Sequence, residues 1–386
     1  MEYTKLGHIA KIQTGPFGSQ LHQSDYKPSG IPCIMPCNIG SNLDIICDNI
    51  AYISEDDLNR LAKHKTQEGD IVYSRRGDIE KCAYISSKES GWLCGTGCLK
   101  VSIDNTVATP KFIAYLLSTP DSKAWLVGNA VGTTMLNLNT TVLSDFPISL
   151  PDIETQQKVV DIIDAVADKI ELNKRINDNL EQQAQALYKS WFVDFEPFKD
   201  QEFVDSEFGL IPEGWHCTTI SELLSIKYGK DHKKLAEGIV PVYGSGGLMR
   251  YVDTKLHEGE AVLIPRKGSL NNVMYVNEAF WTVDTMFYSI PKQEYSCIYA
   301  YLFLANKDLA SMNAGSAVPS MTTDILNNMH IIAPPVEVLK RFNNICDVYF
   351  SRINQNNIEN ANLSKQRDTL LPKLMSGELK INEIDC

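Results

Sequence analysis

The sequence predicts an α+β chain of two similar strand-rich domains and two long helices, the helices pairing as an antiparallel coiled coil about a pseudo-twofold axis. Three observations predict it. First, the chain repeats itself: "GTTMLNLNTTVLSDFPISLP" (Gly132–Pro151) aligns without gaps on "GSAVPSMTTDILNNMHIIAP" (Gly315–Pro334), 183 residues on. Identities are few (Gly132/Gly315, Thr140/Thr323, Leu143/Leu326, Ile148/Ile331, Pro151/Pro334), but the apolar rhythm is shared. Second, each copy opens with short β-type runs separated by glycine turns. Third, each copy closes on a heptad pattern.

The first copy opens with "TKLGHIAKIQTG", which is similar to "TTISELLSIKYG" in the second. The runs "DIVYS", "CAYIS" and "CLKVSI" read as strands, as do "AVLIP", "NVMYV" and "MFYSI" later. Shifting offsets between matching runs imply loops of different length between equivalent strands. The expected boundaries are 1–151 for the first strand-rich domain and 152–200 for its helix and exit. The second domain then spans 201–335, and the second helix and tail 336–386.

In the first helix apolar residues recur at steps of four and three: Val159, Ile163, Val166, Ile170, then Asn173 and Asn177, then Leu180, Ala184, Leu187 and Trp191. The same positions in the second copy are Phe342, Cys346, Tyr349, Ile353, Asn356, Asn360, Leu363, Arg367, Leu370 and Leu374. A seam sustained over about four heptads predicts a coiled coil, and asparagines at matching seam positions set register at a cost in stability. The link from Phe192 to Trp215 is short, so an antiparallel pair lets the second domain start where the first helix ends. A parallel pair would send the chain back along about 45–50 Å of helix.

The chain has 386 residues, 44% hydrophobic and 22% charged, ordinary values for globular domains. No apolar run approaches the roughly 20 residues that span a bilayer, and the N-terminus lacks a signal-peptide pattern, so a cytoplasmic protein with no membrane association is expected. The ten cysteines offer only loose C-x3-C pairs, Cys33/Cys37 and Cys94/Cys98, so reduced thiols rather than a metal site are expected. A net charge of −12 argues against a wholly nucleic-acid-binding surface. The charge is uneven, however: residues 1–150 carry 13 basic against 15 acidic side chains, and residues 151–200 carry 6 against 11. No phosphate-binding glycine loop, dinucleotide fingerprint, zinc-protease or serine-hydrolase motif is present, nor the Asp/Asn-Pro-Pro-aromatic stretch of amino-methyltransferases. No catalytic residue, metal or cofactor is therefore expected in this chain.

One feature recurs at equivalent places. "DIVYSRRGDIEK" ends a strand on Arg75, Arg76 and Gly77, and "AVLIPRKGSLNN" ends one on Arg266, Lys267 and Gly268. Two units carried on a rod suit a long, pseudo-symmetric ligand such as duplex DNA read as two half-sites. Arginine can read guanine with two hydrogen bonds, while lysine meets phosphate. Nearby polar loops add Gln20, His22, Gln23, Lys230, Lys233, Lys234, Asn271 and Asn272. The competing reading is a shared structural turn in which Asp70 and Glu260 pair with the basic groups. Two further readings stand beside these: a self-sufficient DNA methyltransferase or nuclease, and an adaptor whose coiled coil binds protein without DNA.

Several stretches resemble the specificity subunits of type I restriction–modification systems. They are "TGPFGSQLHQSDY", "GIPCIMPCNIG", "EGDIVYSRRGDI", the segment from "PDIETQQKVV" to "KSWFVDFEPF", "GLIPEGW", "PVYGSGGLMRY" and "QRDTLLPKLMSGELKI". The resemblance runs along essentially the whole chain. It implies a non-catalytic, DNA-reading subunit whose two recognition domains each take half of a bipartite target in double-stranded DNA. It also implies that the helices set the unread gap and dock two methyltransferase subunits, which bring S-adenosylmethionine for adenine-N6 methylation. Separate ATP-driven restriction subunits would join through the complex.

Overall fold

The computed structural model describes residues 2–132, 136–312 and 320–379. Parts of the repeat named above, residues 133–135 and Gly315–Pro319, lie outside them. The chain divides into two compact units: Met1–Leu172 with Glu359–Cys386, and Asn173–Ile358.

In the first unit Glu2–Lys5 pairs antiparallel with Pro147–Leu150. A four-stranded sheet runs in the order Ala10–Thr14, Cys98–Ile103, Ile71–Ser74, Cys82–Tyr84. A three-stranded sheet holds Ala51–Ile53, Ile31–Ile34 and Leu93–Cys94. Tyr73, Leu99 and Val101 pack on the helix Pro110–Ser118 through Phe112 and Leu117, and Val159, Ile163, Leu371 and Leu374 of the long helices complete this core.

The second unit repeats the plan. His216–Thr219 pairs with His330–Ala333. Its main sheet has six strands: Leu224–Tyr228, Met286–Pro291, His257–Pro265, Met274–Thr282, Val240–Gly244 and Gly247–Val252. The first four match the four-stranded sheet of the other unit in order. The nine-residue strand Met274–Thr282 pairs antiparallel with His257–Pro265 at one end and parallel with Val240–Gly244 at the other. In the first unit those roles fall to two pieces, Cys82–Tyr84 and Leu93–Cys94. The segment between them, "ISSKESGW", turns back on itself: Glu89 accepts from the Ser86 N–H at 3.2 Å, and Gly91 has a φ of +94°. That turn splits one sheet into two without changing the topology.

The long helices span Ile153–Phe192 and Val336–Ser376. Their starts, like those of the preceding elements Thr140–Ser144/Thr323–Asn327 and Pro147–Leu150/His330–Ala333, fall 183 residues apart. Asp152 starts the first helix by accepting the Thr155 N–H at 2.9 Å, and the Thr155 bonds hold its carboxyl below the usual carboxylate range. Pro334 and Pro335 precede the second, their φ preset for a helical start.

Within each unit the helices run antiparallel. In the first, Lys169 Nζ lies 3.5 Å from Glu359 Oε2, while Val159 and Ile163 share a core with Leu371 and Leu374. In the second, Asn177 donates to Asn357 Oδ1 at 2.9 Å and accepts from Asn356 Nδ2 at 2.7 Å. Further along, Phe192 meets Phe342 edge-on with ring centroids 4.8 Å apart. Rising numbers on one helix face falling numbers on the other in both places. Of the predicted seam, Val159, Ile163, Ile170, Asn173, Phe342 and Asn356 are buried. Val166, Asn177, Leu180, Leu187, Tyr349, Ile353, Asn360, Leu363 and Leu370 are half-buried. The heptad reading left Asn357 out; it takes part because Asn177 bridges two successive residues of the facing helix.

This bond pattern orders three variants. Asn356→Ala leaves the Asn177 carbonyl oxygen without its donor and should cost about 1–3 kcal/mol. The double variant Asn177→Leu/Asn356→Leu should unfold at a higher Tm than Asn356→Ala, and at or above the wild type, because both polar groups are gone. Denaturant and thermal unfolding of the full chain check the order; a double variant less stable than Asn356→Ala contradicts it.

Candidate nucleic-acid interface

The strand Ile71–Ser74 runs straight into the first basic turn. Arg75 donates its N–H to Gly97 O at 2.8 Å, and its carbonyl accepts from Leu138 N–H at 2.9 Å. Arg76 bridges Asn137 in antiparallel fashion, and Gly77 follows with a φ of +79°. After His257–Pro265 the second turn has the same bonds. Arg266 donates to Thr285 O at 2.9 Å and accepts from Met321 N–H at 2.9 Å. Lys267 bridges Ser320, and Gly268 has a φ of +85°. Leu138 and Met321 are 183 residues apart, as are Asn137 and Ser320, so one backbone clamp occurs twice. Only glycine adopts such a φ at little cost, which accounts for Gly77 and Gly268.

Acidic partners do not explain the turns. Asp70 accepts from Gln67 N–H at 2.8 Å and lies 3.7 Å from Lys100 Nζ. Glu260 accepts from the Tyr275 hydroxyl at 2.7 Å. Neither pairs with a basic side chain of the turn it precedes.

A second loop starts beside each clamp. Gly15 donates to Cys98 O at 2.9 Å, and Gly229 to Met286 O at 3.0 Å. A Cβ at Gly15 would stand 2.0 Å from Gly95 O, and one at Gly229 2.0 Å from Val283 O. The residues crossed there, 95–98 and 283–286, are those that hold Arg75 and Arg266. Each unit therefore brings a polar loop and a basic turn to the same edge of its main sheet.

The side chains differ in freedom. Arg76, Lys267, His22, Gln23, Lys230, Lys233 and Lys234 are exposed; Arg75, Arg266 and Gln20 are half-buried. His22 uses its backbone N–H on Asp25 at 2.8 Å, and Gln20 O accepts from Arg60 at 2.7 Å. The Lys233 N–H holds the Asp231 carboxyl below its usual range, so one anion sits among the lysines. Asn271 and Asn272 are engaged within the protein. Asn271 donates to Asp308 at 3.0 Å, and Asn272 to Ser245 O at 2.8 Å, fastening the second turn to its neighbours.

Three residues outside the sequence-based set belong to this edge. Arg250 donates to the carbonyls of His232 and Leu235, both at 2.8 Å, and so shapes the loop that carries Lys233 and Lys234. The Arg266 guanidinium carbon lies 5.5 Å from the centroid of the Tyr228 ring. Asn137 Oδ1 accepts from Arg75 Nε at 3.3 Å. A lone arginine in "GGLMRY" and a tyrosine in "IKYGK" give little signal, because their partners lie 15 to 62 residues away. Among the described residues no group of three or more His, Cys, Asp or Glu is placed to hold a metal ion, and no helix is long and apolar enough to cross a membrane.

Comparisons with known proteins agree on one family. The family model described as "Type I restriction modification DNA specificity domain" matches residues 1–182 and 212–363. The type I restriction enzyme MjaIX specificity subunit of Methanocaldococcus jannaschii is 26% identical, over 93% of this chain and 89% of its own. The HindI specificity subunit of Haemophilus influenzae is 25% identical, over 84% and 89%. Among solved structures, the S subunit of a type I restriction–modification system from M. genitalium shares the fold. It has a TM-score of 0.59 at 17% identity and covers 97% of this chain and 96% of that one.

The close crossings make a stability prediction. Gly15→Ala and Gly229→Ala force a methyl group onto a carbonyl oxygen and should each cost about 1–3 kcal/mol or more. Gly246→Ala meets nothing within 4 Å and should stay within about 0.5 kcal/mol. Denaturant midpoints of the three variants check this; equal midpoints contradict it.

Proposed function

The chain belongs to the type I restriction modification DNA specificity family, and from that premise we propose that it is the sequence-reading, non-catalytic subunit of a type I restriction–modification assembly. Each strand-rich region, 1–151 and 201–335, reads one half of a bipartite duplex target. The helical regions, 152–200 and 336–386, set the unread gap. The observation that carries this reading is the duplicated clamp, which offers Arg75 with Arg76 and Arg266 with Lys267 from equivalent turns. A rigid backbone under an arginine lowers the ordering cost of base contact, and glycine after the basic pair leaves room for the duplex.

The chemistry lies with partners. Two methyltransferase subunits bring S-adenosylmethionine and flip the target adenine from the stack, at a cost of a few kcal/mol that specific contacts from both recognition regions help to offset. ATP-driven restriction subunits join the same complex. Support for two copies of one partner comes from a matched pair of apolar cavities. One, of about 460 Å³, is lined by Lys189, Phe192, Val193 and Ile331. The other, of about 340 Å³, is lined by Pro372, Met375, Ser376 and Ile148, the same positions in the repeat. Exposed Phe208 and Tyr3 stand at their rims.

Two measurements test the reading. Arg75→Ala or Arg266→Ala should weaken specific duplex binding by about 1–3 kcal/mol and relax preference at one base pair; an unchanged sequence preference in the double variant rejects base reading by these turns. Phe208→Asp combined with Tyr3→Asp should lower the amount of methyltransferase that co-purifies with the chain. Recovery of two copies per chain, as with wild type, contradicts docking at the cavities.

A further inference from the structure

The two clamps share both backbone bonds of the arginine, with one more in the second from Lys267 N–H to Thr285 O at 3.2 Å, and differ in how they hold the arginine side chain. In the first unit Arg75 spends its Nε–H on Asn137. Asn137 is itself fixed, its N–H donating to Val131 O at 2.8 Å and its carbonyl accepting from Val131 N–H at 3.1 Å. In the second unit the guanidinium lies over the Tyr228 ring, which spends none of its strong donors. That ring is braced edge-on by buried Phe287 at 5.0 Å and is 53% exposed, so one side faces solvent. The Arg266 Nη1 contact with Asp284 O is long, at 3.4 Å.

The repeat shows that this is an exchange of devices. The position equivalent to Tyr228 in the first copy is Thr14, and the position equivalent to Asn137 in the second copy is Ser320. Neither substitute can do the same work: threonine has no ring face, and the serine hydroxyl is shorter than the asparagine amide. Among the described residues the holders differ in kind: the Asn137 amide in the first unit, and the Tyr228 ring with the Asp284 carbonyl in the second.

We propose that Asn137 and Tyr228 are positioning residues that aim Arg75 and Arg266 at the duplex, and thereby determine which base edge each half of the target must present. The inference rests on the DNA-reading role proposed above. With Nε taken, Arg75 presents its two terminal nitrogens, the fork that fits guanine O6 and N7. Over a ring, with Nη1 on the Asp284 carbonyl, Arg266 keeps Nε and Nη2 available, so it is free to engage a phosphate and a base edge together.

The test is selection of bound duplexes from a random library by the full chain, with enrichment read at every position. Tyr228→Leu, which keeps an apolar side chain against Phe287, should relax the base pair that Arg266→Ala relaxes, by about fivefold. Tyr228→Phe keeps the ring face and should select as wild type does. Asn137→Ala should relax the base pair that depends on Arg75, in the other half. Asn137→Asp should weaken it further, because a carboxylate draws the guanidinium away from the duplex. If Arg266→Ala changes a base preference but Tyr228→Leu does not, or Tyr228→Phe changes it equally, positioning by Tyr228 is wrong and DNA reading stands. If Asn137→Ala leaves the Arg75-dependent base unchanged, positioning by Asn137 is wrong. If neither arginine variant changes any preference, the DNA-reading role fails and this proposal with it.

Discussion

Two backbone hydrogen bonds fix the architecture of each candidate reading edge: an arginine N–H donated to a carbonyl of the neighbouring strand's lead-in, and the arginine's own carbonyl accepting from an N–H that arrives from far along the sequence. Gly97 and Leu138 supply these partners for Arg75, and Thr285 and Met321 supply them for Arg266. A turn tied down on both sides of one residue fixes the direction in which the Cα–Cβ bond leaves the backbone, and Asn137 or Tyr228 limits the rest of the side chain. A fixed starting direction favours contacts that distinguish base edges over contacts that only meet phosphates. The crossing itself is possible because Gly15 and Gly229 let two backbones pass where a methyl group would collide.

The same long-range partners tie the reading edge to the rest of each unit. Leu138 and Met321 lead into the short helices Thr140–Ser144 and Thr323–Asn327, then into the strands Pro147–Leu150 and His330–Ala333, and from there into the long helices. Fifteen residues of chain separate Leu138 from the helix start at Ile153, and Met321 from that at Val336. In the second unit the aromatic cluster of Trp191, Phe192, Phe198 and Trp215 packs the end of the first long helix into the core. Burial of this much ring surface makes that helix end a structural part of the unit.

Much of this was legible in the sequence, for identifiable reasons. The helix seam is local and periodic, so Val159 to Trp191 announced both the helix and its buried face. The offset of 183 survives where only two-residue connections, Asp145–Phe146 and Pro151–Asp152, separate the short helix, the strand and the long helix. What escaped was set by contact across sequence distance. The "SSKESG" turn breaks a strand that its counterpart keeps whole, and no composition rule separates a loop there from a polar strand edge. Asn357 joined the seam because Asn177 bridges two residues. Arg250, Tyr228 and Asn137 matter through partners that periodicity does not name. Asp70 and Glu260, which the competing reading paired with the basic turns, are claimed instead by Lys100 and by Tyr275.

The central claim is that both turns meet one duplex at two separate places. Photo-crosslinking measures this directly: a benzophenone side chain placed at Arg76 or at Lys267 in the full chain, irradiated with a duplex carrying the selected target. The account predicts that both positions form adducts with the DNA, in two segments separated by unlabelled base pairs. Adducts at the same base pairs from both positions, or none from either, would contradict it.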